Sequence, residues 1–428
     1  MSLGNRRRLA ARCPAAALVV AFLVGATSAG AQALAFTGAT VWDGSGASSI
    51  PNATLVVRDG RILRVGREAP PEGATVIDLA GRWVIPGLVN AHGHVTGLWA
   101  TDDVHGAAAR MEEGDLLLYA RYGVTTVNSL GDEPPEAAAV RAGNDRGDLG
   151  RARLHFAGPV IAATDPADAA RQVAANATAD VDWIKIRVDD NLGTTDKMTW
   201  PVVRTVMDEA HARGFRVATH LFYLEDAKRL LRMGSGLIAH SVRDADVDAE
   251  FIDLLKRTGA CYVPTLAREV STFVYAQHQD FFDDPFFRRW ADQRQVARAS
   301  APAFMAEMAS STAAARYRVA LGQAQRNLKT LVDAGIPVAM GTDSGPAARF
   351  PGYFEHMELR LMAEAGLSPE QILRSATGVA ADCLGLNDVG MLRPGRWADF
   401  VVLAANPLED VAATKTLTAV YVAGNRVR

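Results

Sequence analysis

The chain has 428 residues, 49% of them hydrophobic, and a formal charge of −3 at pH 7. That length and apolar content are ample for a large core and for more than one domain, and they exclude a disordered chain. A mildly acidic sequence with no basic cluster leaves no footprint for nucleic acid.

The chain opens with Arg6, Arg7, Arg8 and Arg12 ahead of an apolar Ala/Val/Leu stretch, and Ala31-Gln32-Ala33 supplies small residues before a cleavage point. This is the layout of a secretory signal over residues 1–33. The apolar part, residues 14–24, is too short to cross a bilayer comfortably. The expectation is a mature protein without a stable membrane anchor, secreted or periplasmic. Losing four arginines and no acid takes its formal charge from −3 to −7. Cys13 leaves with the signal, and Cys261 and Cys383 are expected as separate buried thiols, with a bridge as the alternative in an oxidising compartment.

Short stretches rich in Val, Ile and Thr follow, at 36–42, 54–58, 61–65 and 75–79, and Asp59-Gly60 between two of them signals a hairpin. The same texture returns at 400–403 and 417–422. Isolated strands cannot bury a core. Residues 34–83 and 388–428 are therefore expected to build one small β-sandwich domain, with residues 84–387 inserted into it.

The middle alternates strand and helix. Strands are expected at 84–90, 124–130, 153–161, 183–188, 216–222, 236–242, 261–266 and 337–341, with helices such as 107–121, 165–177, 201–213, 224–233 and 246–257 between them. Eight such units predict an α/β fold, a (β/α)8 TIM barrel, whose chemistry sits at the C-terminal ends of its strands. A doubly wound open sheet is the alternative, but no Gly-x-Gly-x-x-Gly turn follows the first strand.

Polar residues at those strand ends carry the functional reading. The first strand ends in His92-Gly-His94, and alternation along extended backbone turns both imidazoles to one side, as two ligands of one metal require. The fourth holds Lys185 between Ile184 and Ile186, where a lysine facing the interior must be paired or chemically altered. The fifth ends at His220, the sixth at His240, and the eighth runs into Thr342-Asp343-Ser344. A core histidine or a turn aspartate explains each alone. The joint set at one face of one barrel is not explained that way.

This set resembles the amidohydrolase superfamily. Val84-Ile-Pro-Gly-Leu-Val-Asn-Ala-His-Gly-His is similar to its opening motif and Gly395-Arg-Trp-Ala-Asp-Phe-Val-Val-Leu-Ala-Ala-Asn-Pro-Leu to its closing one, with the imidazolonepropionase-like and Xaa-Pro or Xaa-Arg dipeptidase-like branch nearest in texture. Asn90 departs from the family's usual Asp. The resemblance implies two divalent metal ions, zinc first among them. His92, His94 and Asp343 would hold one and His220 and His240 the other, with a carboxylated Lys185 and a hydroxide bridging them. Asp343 would serve as general base and then general acid. The implied partner is a small amide, a dipeptide or an N-acyl amino acid. Lactone, phosphotriester or cyclic-amide hydrolysis, and a metal-holding protein without catalysis, are the alternatives.

Candidates for substrate binding are Tyr223 near the fifth strand, Arg187 and Arg268 after the fourth and seventh, and His356 in the helix after the eighth. His105, His155, His211 and His278 are assigned no role at the site, His211 being expected as a solvated helix residue. Residues 267–313 form an aromatic insertion, expected as a lid, a satellite core or a dimer contact, and Pro285 interrupts any single helix there. No stretch declares a homo-oligomer interface.

Overall fold

The structure is a computed structural model that describes residues 32–99 and 108–427. The expected signal falls almost wholly outside the described residues, as does His105. Among the described residues no helix is long and apolar enough to cross a membrane.

Both ends of the described residues enter one eight-stranded mixed sheet. Its N-terminal strands are β1 (Leu34–Val41), β2 (Ile50–Arg58), β3 (Arg61–Gly66), β4 (Thr75–Asp78) and β5 (Trp83–Pro86). The Asp-Gly signal is realised between β2 and β3, where Asp59 and Gly60 both take positive φ, 52° and 77°. Two positive φ values match the twist of the flanking strands. The C-terminal strands are hydrogen-bonded to β5, so the sandwich expected here pairs as one sheet rather than as two. Phe36, Phe400 and Tyr421 pack at its centre, with ring centroids 4.6 to 4.9 Å apart.

Two parallel sheets make up the middle. One joins β6 (Leu88–Gly93), β7 (Val124–Ser129) and β8 (Arg153–Phe156); the other joins β9 (Ile184–Arg187), β10 (Val217–His220), β11 (Leu237–Ile238) and β12 (Cys261–Tyr262). The C-terminal strands of the mixed sheet, β13 (Phe400–Leu403), β14 (Leu417–Val422) and β15 (Asn425–Arg426), complete the set. Several expected strands are shorter than the apolar runs that announced them, and 337–341 forms no ladder. Single contacts take the place of ladders there. Ile161 bridges Ile186, Tyr262 bridges Val338, and the Ala91 N–H donates to Met340 O at 2.9 Å.

Alternation holds on β9. Ile184, Ile186 and Val188 belong to the large cluster packed under the helices, whereas Lys185 turns to the opposite side and is 3% exposed. A second buried cluster includes Val89, Ala91, Ala218, Ala239, Val263 and Ala339. Cys261 and Cys383 lie beside it and are joined in a disulfide with Cα atoms 5.7 Å apart. This corrects the expectation of two separate thiols. The helix Gly378–Leu384 brings Cys383 to the end of the strand bearing Cys261, and a separation of 122 residues gave no sign of it.

The closing motif has a visible structural task. Asp399 pairs with Arg153 at 2.8 Å, both 2–3% exposed, and accepts the Ala423 N–H at 2.7 Å. Trp397 stacks on the same guanidinium, 4.1 Å from the ring centroid. The aromatic insertion breaks into short helices; Phe282 and Phe287 are buried against Phe350 and Tyr353 in the main core, and Tyr275 is buried against Phe282. It extends the core.

Candidate active site

β6 delivers His92, 1% exposed, and the residue beyond it delivers His94, with ring centroids 5.6 Å apart. The segment 341–345 runs alongside, its Thr342 and Asp343 N–H groups donating to His92 O at 3.0 and 2.7 Å. Glycine makes this approach feasible: a Cβ on Gly341 would stand 2.9 Å from the His92 nitrogen, and one on Gly345, at φ 116°, would overlap the His94 carbonyl. Asp343 itself holds a left-handed φ of 57°. Its Oδ1 reaches His94 Nε2 at 2.7 Å and His92 Nε2 at 3.3 Å.

The outer nitrogens decide what that cluster can do. His92 Nδ1 lies 2.7 Å from Ala239 O and His94 Nδ1 lies 3.0 Å from Gly131 O, so each Nδ1 carries a proton and donates it to a carbonyl. Each Nε2 is then a lone pair facing a carboxylate oxygen. A second proton on the ring or a cation between the groups reconciles them. Burial, reinforced by the Lys185 charge, pushes His92 down to about 3, which opposes the proton. Burial alone would raise the Asp343 carboxyl; the Arg349 charge and the two imidazoles outweigh it and hold it well below the usual range. Two imidazole nitrogens and a carboxylate oxygen, all within 4.8 Å of one another, form a donor set suited to zinc.

The other expected ligands stand beside it. Lys185 Nζ lies 3.4 Å from His92 Nε2, and burial pushes its amine down to about 7. His240 packs against His92 and His220, with centroids 4.7 and 4.2 Å away, and its Nδ1 is tied to the Thr265 hydroxyl at 2.7 Å. His220 Nε2 donates to Asp189 Oδ2 at 2.9 Å, which leaves its Nδ1 as the free ligand atom. Burial holds His220 near 3 and His240 well below its ordinary value.

Substrate-binding expectations fare unevenly. Arg268 is buried, donates to Glu269 at 3.0 Å, and brings a partnerless Nε to 4.0 Å from Asp343 Oδ2. Tyr223 donates to Asp190 at 2.8 Å, and Arg187 is half-exposed, 3.8 Å from Asp189. His356 is not brought to the cluster: its ring nitrogens are taken by Thr414 Oγ1 at 3.0 Å and Tyr122 O at 2.8 Å. Of the unassigned histidines, His155 faces Asp182, His211 bonds Gly234 O, and His278 lies by Asp283.

Three residues around the cluster escaped sequence reasoning. Asp189 continues the alternation of Lys185 and Arg187, a signal that was available. Arg349, which pairs with Asp343 Oδ2, sits in an irregular loop, and Glu355 lies in a helix among apolar residues. Nothing local marked either.

The amidohydrolase family matches residues 83–427 of the chain. An uncharacterized protein of Mycobacterium tuberculosis is 28% identical over 376 residues, covering 84% of this chain and 88% of that protein. An imidazolonepropionase of Streptomyces griseus is 26% identical, covering 88% and 93%. Among solved structures, a putative prolidase from Bifidobacterium longum superposes with a TM-score of 0.73 at 27% identity, covering 93% of this chain and 95% of that one.

Proposed function

The chain belongs to the amidohydrolase family, in its imidazolonepropionase-like branch, and from that premise we propose a binuclear metal-dependent hydrolase that cleaves the C–N amide bond of a dipeptide or N-acyl amino acid. The observation that carries this reading is the convergence of His92 Nε2, His94 Nε2 and Asp343 Oδ1 within 4.8 Å, with both Nδ1 atoms tied to backbone carbonyls. His92, His94 and Asp343 would hold one divalent ion, and His220 Nδ1 and the free Nε2 of His240 the other. Bound ions supply Lewis-acid polarisation of the amide carbonyl and a water nucleophile at neutral pH.

The remaining work falls to the chain. Asp343 takes the proton of the attacking water and hands it to the leaving nitrogen as the C–N bond breaks, yielding a carboxylic acid and an amine. Lys185, whose amine is lowered to about 7, would add CO2 as the neutral amine with loss of one proton, giving an anionic carbamate that would serve as a metal ligand. Arg268, with a buried Nε free beside Asp343, binds the substrate carboxylate. Arg187 supplements it from the rim, and Tyr223 reaches the substrate carbonyl by leaving Asp190.

We read the two parallel sheets as one closed (β/α)8 barrel. The Ile161–Ile186 and Tyr262–Val338 bridges and the hydrogen bonds between β6 and 340–343 support closure. Placement outside the cytoplasm is supported by the signal-like N-terminus and the Cys261–Cys383 bond.

The test is product identification by mass spectrometry after incubating the metal-loaded protein with pooled dipeptides, N-acyl amino acids, cyclic amides and lactones. Free amino acid released by wild type and not by Asp343→Asn supports the proposal. Turnover confined to lactones would retain the metal site and remove the amidase assignment, and turnover confined to cyclic amides would move the substrate toward that of the imidazolonepropionases.

A further inference from the structure

Asn90 lies two residues before His92 and is fully buried. Its carboxamide works in both directions. Oδ1 accepts the His92 N–H at 2.9 Å, while Nδ2 donates to Glu355 Oε1 at 2.5 Å and to the Thr342 hydroxyl at 3.0 Å. Glu355, fully buried on the helix Tyr353–Glu364, gathers more at the same oxygen: the Thr342 hydroxyl at 2.8 Å and the Ser344 hydroxyl at 2.7 Å. Thr342 and Ser344 are the two neighbours of Asp343. Ser344 is held in addition by the Tyr119 hydroxyl, 2.8 Å from its Oγ.

We propose that Asn90 and Glu355 act as a positioning pair, which locks the strand carrying His92 to the loop carrying Asp343 and thereby sets the affinity of the site for its metal. The inference rests on the reading that His92, His94 and Asp343 hold a metal ion.

Asp343 needs such a lock. Its left-handed backbone is unfavourable for a residue with a side chain, and one residue's rotation would swing Oδ1 away from both imidazoles. The lock acts on both flanks of Asp343 at once, because the two hydroxyls converge on a single carboxylate oxygen. It reaches the histidine through the amide, whose oxygen fixes the His92 backbone. Only a side chain that both donates and accepts can fill position 90 in this arrangement. An aspartate there would set a carboxylate against the Glu355 carboxylate and remove the side-chain donor to Thr342, leaving it only the Ser344 N–H. Glu355 Oε2 is buried and has no partner, so the carboxylate acts through Oε1 alone.

The pair is therefore reciprocal, and exchange tests it. Zinc affinity of the full chain is measured by competition with a chromophoric chelator for wild type, Asn90→Asp, Glu355→Gln and the double variant, with melting of each metal-free protein alongside. Support for a metal ligand of this kind is worth about 10- to 100-fold in affinity, so Asn90→Asp is expected to lose about that much. Glu355→Gln keeps the accepting oxygen and should stay within about threefold of wild type. In the double variant the glutamine amide donates to the introduced aspartate, and most of the lost affinity should return. Wild-type affinity in Asn90→Asp, or a double variant no better than it, overturns the proposal. If Asn90→Asp does not fold, Thr342→Val removes one strut with little change of shape: several-fold weaker zinc binding supports the pair, and unchanged binding overturns it. Failure of wild type to bind zinc would instead remove the metal reading itself.

Discussion

Asp189 shows how a residue that touches no substrate shapes the site. It accepts the Nε2–H of His220 and so settles which imidazole nitrogen is free. Burial would raise its carboxyl, but the hydrogen bond from His220 and the Arg243 charge outweigh that and hold it low. Asp189→Asn reverses or loosens the tautomer, and metal affinity should fall about 10- to 100-fold while the fold persists, as read by zinc competition and circular dichroism. The buried imidazoles also set an acid limit on the metal-free protein. His92 and His220 titrate near 3 when folded, against 6.5 ordinarily. Between those values the unfolded chain binds protons that the folded chain refuses, so their contribution is complete above pH 6.5 and is lost as pH falls toward 3. Denaturant midpoints from about pH 7 to about pH 4 should show a steeper loss for wild type than for His92→Gln; equal slopes would contradict it. His92, His94 and Asp343, which meet within 4.8 Å, were marked in the sequence because each closes an apolar run, and Lys185 because it interrupts one. Arg349 and Glu355 were not, since their role exists only where distant segments meet.

At the scale of elements, the closing motif and the strand ends behave differently. Asp399 neutralises Arg153 where neither reaches water. Breaking such a pair by removing one partner costs about 3–5 kcal/mol, because the other charge stays buried and unpaired. Asp399→Ala should therefore lower the melting temperature sharply without removing a metal ligand, and a variant melting like wild type would sink that role. The strands themselves were overestimated in length. An apolar run marks burial, whereas a ladder needs a partner in register along its whole length, and around β11 and β12 the partners diverge after two residues. The aromatic insertion was readable as apolar, with a core role only one of three readings. Its destination depends on Phe350 and Tyr353, which lie beyond the eighth strand.

For the whole molecule, the chain's two ends share a sheet, and the Cys261–Cys383 bond ties a strand in the middle to the helix Gly378–Leu384. Closing a loop of that size stabilises a fold by about 2–4 kcal/mol, chiefly through the unfolded chain. Cys383→Ser, or reduction of the wild type, should lower the denaturation midpoint by a matching amount and leave metal content unchanged. The α/β class was readable from periodicity and the family from its motifs, whereas the terminal strands were expected as a sandwich and pair as one sheet, and the disulfide, held only as the alternative to separate thiols, is a property of the assembled core.

Metal-dependent amide cleavage is best checked by following hydrolysis through a metal cycle: the purified chain is assayed against N-acyl amino acids and dipeptides as isolated, after chelation, and after zinc and bicarbonate are restored. Amino acid release should disappear on chelation and return with zinc in wild type, and return in neither His92→Ala nor Asp343→Asn. Equal release before and after chelation, or full release by Asp343→Asn, would contradict a metal site built on these residues.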